Sequence, residues 1–240
     1  RRHSAQQAVE AVKMLQEAGY DNISVDLIFG VEGFGAESLA RTLQGMLAMN
    51  VQHISAYHLT IEENTRFGRM LSRGELHETA EERSEEEFLQ VHNALTAAGF
   101  EHYEVSNYAK EGCRAKHNSA YWKGVEYLGI GPGAHSFSRD NRTWCISSAK
   151  EYAEGVIRFE SEHLTELDHM NEYVMTSLRR VEGIDLGFVA ERFGAKHRVR
   201  IETAAKEWVK AGVLMAEGDR LAIRPEHFLV SDAVIEAFFA

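Results

Sequence analysis

The stretch from Glu101 to Phe137, EHYEVSNYAKEGCRAKHNSAYWKGVEYLGIGPGAHSF, gathers the residue types that can do chemistry. His117 and Tyr121 stand four positions apart, so a helical turn would set both on one face, next to Asn118 and Trp122. An imidazole beside phenol and indole rings can ligate haem iron and stack on a flat macrocycle. A histidine hydrogen-bonded within a half-buried aromatic cluster reads the same way, and spacing alone leaves both open. Further along, Gly129, Gly131 and Gly133 alternate ahead of His135. That is not the dinucleotide spacing, and no strand-loop-helix frame surrounds it. Alternating glycines suit backbone pressed against a neighbour or ligand.

Two further candidates lie upstream. Asp26 interrupts the apolar run ISVDLIF, where an unpaired carboxylate would cost on the order of several kcal/mol. It is expected to pair, either with a ligand or structurally with a group such as Arg2. Tyr57 and His58 end the next apolar run, VQHISAYHL, and should open onto the same face as Asp26, because ligands collect at the carboxyl ends of strands in wound sheets. Cys113 and Cys145 are the only cysteines. They form neither a zinc or iron–sulfur pattern nor a disulfide framework, and they fit a reducing cytoplasm. No Ser-His-Asp or Cys-His arrangement finds local support.

These side chains need elements to hold them. Ala8, Val9, Val12 and Leu15 predict a helix from Ser4 to Gly19, Ile23–Phe29 reads as a strand covered on both faces, and Ala36 to Met49 followed by Val51 to Leu59 repeats the pair. A third helix follows the Glu-rich stretch after Thr79 and ends at Gly99. Helix and strand alternate three times, the order of a wound α/β sheet. The opening Arg1-Arg2-His3, without Met, leads to the expectation that a strand lies upstream. A short helix is predicted from Ala149 to Arg158. From Thr165, helices to Arg180, over Gly187–Phe193 and over Ile201–Ala211 precede a hairpin turning at Glu217-Gly218-Asp219 and a closing helix from Ser231, the pattern of a winged helix. The expected domains are 1–148 and 149–240.

The chain is acidic, with net charge −11, and acidic residues outnumber basic ones from Thr165 onward. Nucleic acid is therefore excluded as a partner on charge, and the winged helix is expected to pack or act as a lid rather than to read DNA. No apolar run reaches the ~18 residues of a membrane-spanning helix.

Taken together, the runs RRHS, GYDNISVDLIFG, HISAYHLTIEENT, EVSNYA, HNSAYW and YLGIGPGAHSF resemble the oxygen-independent coproporphyrinogen III oxidase family of radical S-adenosylmethionine proteins, in its haem-chaperone branch. The resemblance implies an α/β fold: part of a radical-SAM (β/α) barrel followed by a small winged-helix-like domain. It implies S-adenosylmethionine and a [4Fe-4S] cluster in the whole protein, the cluster held by a Cys-rich loop on a barrel strand absent from this sequence. The chain alone would then be inactive and form no cluster. In the intact family member the cluster reduces S-adenosylmethionine, and the resulting deoxyadenosyl radical abstracts hydrogen from substrate.

By motif position Arg2, Asp26, Tyr57 and His135 would contact S-adenosylmethionine, while His117, Asn118, Tyr121 and Trp122 would handle haem. Implied partners are haem or coproporphyrinogen, a haem-acceptor protein and a peripheral membrane partner. Haem transfer competes with coproporphyrinogen oxidation as the activity, and both compete with a non-enzymatic docking module built on a vestigial barrel. One departure is plain: where the family has GLPGQ after the Asp26 strand, this chain has Gly30-Val31-Glu32-Gly33-Phe34.

Overall fold

The computed structural model describes residues 3–239, so Arg2 lies outside the described residues. The chain forms two compact units: Arg1–Ala115 with Arg224–Val230, and Lys116–Ile223 with Ser231–Ala240.

In the first unit, helix α1 (Ala5–Glu17) begins where Ser4 and Gln7 close a reciprocal capping box. Strand β1 (Ser24–Phe29), helix α2 (Ala36–Ala48) and strand β2 (His53–His58) follow. α2 buries Leu39, Leu43 and Met46, the stripe its spacing specified. β1 and β2 pair in parallel, from Ser24 opposite His53 to Phe29 opposite His58. Helix α3 (Arg66–Ser72) intervenes before α4 (Glu81–Ala97), and strands β3 (Glu101–Glu104) and β4 (Asn107–Ala109) complete a sheet of order β1-β2-β4-β3.

Two expectations need correction. The sheet is mixed, because β4 runs antiparallel between β2 and β3. Only Val105 and Ser106 separate β3 from β4, and so short a turn can join only antiparallel neighbours. Nor is β1 covered on both faces. Leu27 and Phe29 are buried, but Ser24, Asp26 and Ile28 are exposed on the opposite face. Asp26 is exposed and forms no ion pair among the described residues; Arg2, its expected structural partner, lies outside them.

The core of this unit joins Ile54, Val91, Leu95 and Tyr108 to Phe228, which comes from the short 3-10 segment Pro225–Val230. His102 stacks on Tyr108 at 4.0 Å between ring centroids and meets Phe228 edge-on at 5.1 Å. A stretch from late in the sequence thus closes a core made mostly of early residues.

The second unit opens with α5 (Lys116–Trp122), followed by β5 (His135–Ser138), β6 (Asn141–Cys145), α6 (Ala149–Ala153) and β7 (Phe159–His163). The three strands form an antiparallel sheet of order β5-β6-β7 that periodicity did not signal. Cys145 pairs with Phe159, so the sheet spans the expected 148/149 boundary, and α6 is shorter than the helix predicted to Arg158. Then come α7 (Glu166–Leu178), starting at a Thr165–Asp168 capping box, β8 (Ile184–Asp185), α8 (Leu186–Phe193), α9 (Ala195–Lys210), the hairpin β9 (Leu214–Glu217) and β10 (Arg220–Ile223), and α10 (Ser231–Glu236). Helices backed by the β8-β10-β9 wing match the winged-helix pattern.

Candidate functional site

Pairing register draws one row across the whole first sheet. Asp26 lies opposite Ser55, Ser55 opposite Asn107, and Asn107 opposite Glu104. Residues paired in this way share a face, so four polar side chains line up on the face that carries exposed Asp26. Ile28 and Tyr57 pair in the next row toward the strand ends, and both are exposed. The structure therefore brings Asp26 and Tyr57 to one face of one sheet.

The interior end of that row is shielded from water. Ser55, Glu104 and Asn107 are all buried, and the Asn107 amide nitrogen donates to the Glu104 carboxylate. On the same face His53 bonds to the Ser24 hydroxyl at 2.7 Å and to the Tyr103 hydroxyl at 2.9 Å, while the backbone N–H of Ala115 donates to Tyr103. Burial lowers the His53 pKa, an effect the Asp26 charge partly opposes. Burial also raises the Tyr103 hydroxyl to about 12, so it remains a proton donor.

The loop after β1, where the family pattern is broken, is held by other means. Glu87, a buried carboxylate, accepts from the Gly30 N–H at 2.9 Å and from the Arg83 Nε at 2.8 Å. Arg83 also reaches the carbonyls of Val31 and Phe34, and the Thr79 hydroxyl donates to the Gly30 carbonyl at 2.8 Å. Glu32 accepts from the His77 backbone, which holds the Glu32 carboxyl below its ordinary range. Gly30 has φ +71°, and a Cβ there would strike the His58 ring. Charged side chains thus fix a loop from which proline and glutamine are missing.

The second unit holds the other candidates. On α5 the His117 and Tyr121 rings meet edge-on at 4.9 Å, as the four-residue spacing anticipated. Tyr121 meets Tyr127 at 4.8 Å, and Tyr127 exchanges backbone hydrogen bonds with Phe137. His117 is exposed and its ring makes no hydrogen bond among the described residues, so it is not the satisfied histidine of the competing reading. The Trp122 indole N–H is shielded from water and likewise lacks a partner among the described residues. Gly129 presses on β5 as its sequence context suggested: a Cβ would lie 2.1 Å from the His135 carbonyl oxygen. His135 stacks on Trp144 at 5.6 Å in this second unit, outside the sheet that bears Asp26. Cys113 and Cys145 are unpaired, and no group of His, Cys, Asp and Glu among the described residues is arranged to hold a metal.

Within the run EVSNYA, spacing assigns no role to Glu104 and Asn107, and no motif marks Ser55, Arg83 or Glu87. A Glu and an Asn flanking a two-residue turn was the signal available.

Comparisons with known proteins bear on this arrangement. Residues 164–230 match the model of the HemN C-terminal domain. The heme chaperone HemW of Mycobacterium tuberculosis is 33% identical over 240 residues, covering 97% of this chain and 59% of that protein. HemW of Bacillus subtilis is 28% identical over 241 residues, covering 98% of this chain and 64% of that protein. The chain therefore spans less than two thirds of the length of these relatives. Among solved structures, the coproporphyrinogen III oxidase HemN from Escherichia coli, titled a radical SAM enzyme, superposes with a TM-score of 0.78 at 16% identity, covering 100% of this chain and 60% of that one. At that identity the likeness speaks for the fold, a section of the radical-SAM α/β barrel with its appended helical module. Fold, C-terminal domain and sequence relatives agree: the chain is similar to the HemN/HemW-like family along nearly its whole length.

Proposed function

We propose that this chain is the haem-handling and S-adenosylmethionine-contacting portion of a haem chaperone. The observation that carries the reading is His117: an exposed imidazole with no hydrogen bond among the described residues, set against Tyr121 on one face of α5. An imidazole with its ring nitrogens free of protein partners can serve as an axial ligand to haem iron. The shielded Trp122 N–H is a donor in want of an acceptor, and a propionate carboxylate supplies one. Tyr121 offers a ring face for the macrocycle, and Asn118 on the same helix adds a polar contact. Relatives that bear the name heme chaperone along nearly this whole chain favour transfer of haem over oxidation of coproporphyrinogen.

Toward S-adenosylmethionine, Asp26 and Tyr57 offer a carboxylate and a ring on one sheet face, and the buried acceptors beside them suit a cationic ligand rich in hydrogen-bond donors. A [4Fe-4S] cluster does not fit these residues: with Cys113 and a buried Cys145 the chain cannot supply three thiolates. A haem-acceptor protein, and a membrane surface touched from outside, complete the proposed setting in the cytoplasm. Among the described residues no helix is long and apolar enough to cross a membrane.

Haem titration of the 240-residue chain, followed in the Soret region, tests the reading. Replacing His117 with alanine is expected to weaken binding at least about tenfold and to abolish the spectrum of the imidazole-ligated iron, since an axial bond is lost. Unchanged affinity and spectrum in His117→Ala would remove the ligand role.

A further inference from the structure

Asn107 is 4% exposed, and its side-chain oxygen Oδ1 has no hydrogen-bond partner among the described residues. Its orientation follows from its neighbour. Glu104 as a carboxylate can only accept, so the amide nitrogen must face it, and the oxygen is turned away from Glu104. Along the row, that direction leads to Ser55 and then to exposed Asp26. A buried carbonyl oxygen without a donor costs about 1–3 kcal/mol, and native proteins rarely carry one without a reason.

The surroundings specify the missing donor. Asp26, Glu104 and Asn107 Oδ1 all accept, and among the described residues no Lys or Arg is hydrogen-bonded to Asp26 or Asn107. The exposed Asp26 carboxylate repels anions from its end of the row. Exposed Ile28 and Tyr57 flank it as an apolar and aromatic shelf on the neighbouring row. The complementary ligand has an N–H or O–H group at one end of a flat, uncharged or cationic body, which describes a nucleoside.

We propose that Asn107 is a ligand-contacting residue whose Oδ1 accepts a hydrogen bond from the nucleoside part of S-adenosylmethionine, extending the Asp26 site along the row through Ser55, with Glu104 fixing the amide. This rests on the reading of Asp26 as a contact for that cofactor. Asn107 and Asp26 bracket the nucleoside, one by a neutral acceptor and the other by a charged one. Glu104 is then a positioning residue: its carboxylate holds the amide nitrogen and thereby presents the oxygen.

Calorimetric titration of the 240-residue chain with S-adenosylmethionine, and with S-adenosylhomocysteine analogues lacking either the adenine 6-amino group or one ribose hydroxyl, tests this. Asn107→Ala is expected to bind S-adenosylmethionine about five- to tenfold more weakly, the loss of one hydrogen bond. One of the analogues should lose a similar factor on the wild-type protein and nothing further on Asn107→Ala, identifying the donor as base or ribose. Equal weakening across all analogues would reduce Asn107 to a structural role and overturn the inference. Loss of binding in Asp26→Asn together with intact binding in Asn107→Ala would overturn it while leaving the Asp26 reading in place. Absence of binding by the wild-type chain would overturn both. If Asn107→Ala does not fold by circular dichroism, the Asn107 side-chain amide resonance of the wild type decides: it should shift with S-adenosylmethionine but not with the analogue that lacks the donor, and an unmoved resonance defeats the proposal.

Discussion

The Asp26 row, through the Asn107 Oδ1, and the α5 segment, through the Trp122 N–H, each present a shielded polar atom without a partner among the described residues, yet they are built in opposite ways. In the first unit the sheet does the placing. Pairing register sets Asp26, Ser55, Asn107 and Glu104 in line, and a shell of His53, Tyr103, Arg83 and Glu87 hydrogen bonds locks the ends of the strands. In the second unit a helix of seven residues and a glycine-spaced loop offer His117, Tyr121, Leu128 and Ile130 to solvent, the last two 80% and 83% exposed. A sheet face of that kind is preorganised, so a small ligand loses little in ordering it. An exposed aromatic segment gains its burial from whatever it binds, which suits the reversible loading of a large flat cargo.

Acid should separate the two regions most strongly. Burial lowers the pKa values of His53, His58, His92 and His102, all in the first unit, and takes His102 to about 3. His102 shares a 2.9 Å hydrogen bond with His92 through their Nδ1 atoms and lies near the Val105 carbonyl, while Glu226 faces His92. Between pH about 6.5 and about 3 the unfolded chain takes up a proton that folded His102 refuses. Stability is therefore complete above the unfolded pKa and falls with falling pH, by on the order of a few kcal/mol for this residue. Denaturant unfolding across pH should show the loss in the first unit, and His102→Phe, which keeps the stack on Tyr108, should flatten it. An unflattened curve would assign the acid loss to other groups.

Next in size, Glu87→Ala strips the buried acceptor from Gly30 and leaves Arg83 uncompensated, at a cost of about 3 kcal/mol to the first unit. Hydrogen exchange should locate the effect in the loop after β1, with α5 unmoved; a change below about 1 kcal/mol would show that the loop is held otherwise. Smaller again, Gly129→Ala sets a Cβ against the His135 carbonyl and should cost about 1–3 kcal/mol by forcing the loop off β5. That variant should weaken haem binding while leaving the Asp26 face intact. Equal damage to both ligand sites would dissolve the distinction between the regions.

Much of the architecture was legible from local signals. The Ser4 and Thr165 capping boxes, the apolar stripe of α2 and the Glu217-Gly218-Asp219 turn depend on neighbours a few positions apart, and all stand where the residues placed them. The α5 ring pair is local too, since four residues make a helical turn. Strands β5, β6 and β7 were illegible although their pairing is local, because β7 is exposed throughout and β5 and β6 bury little besides Cys145, so no clean alternation of apolar and polar residues marks them.

The sequence by itself determined the opening alternation of helices and strands, the acidic charge and the presence of Asp26, Tyr57, His117 and Trp122 as chemically capable groups. Only the tertiary structure decided that Asp26 is exposed, that β4 inserts antiparallel beside β2, and that Asn107 stands in line with Asp26 carrying an oxygen without a hydrogen-bond partner among the described residues. Register is the reason. It is set by pairing between strands about thirty residues apart for β1 with β2 and about fifty-five for β2 with β4, and a shift of one residue would send every one of these side chains to the other face.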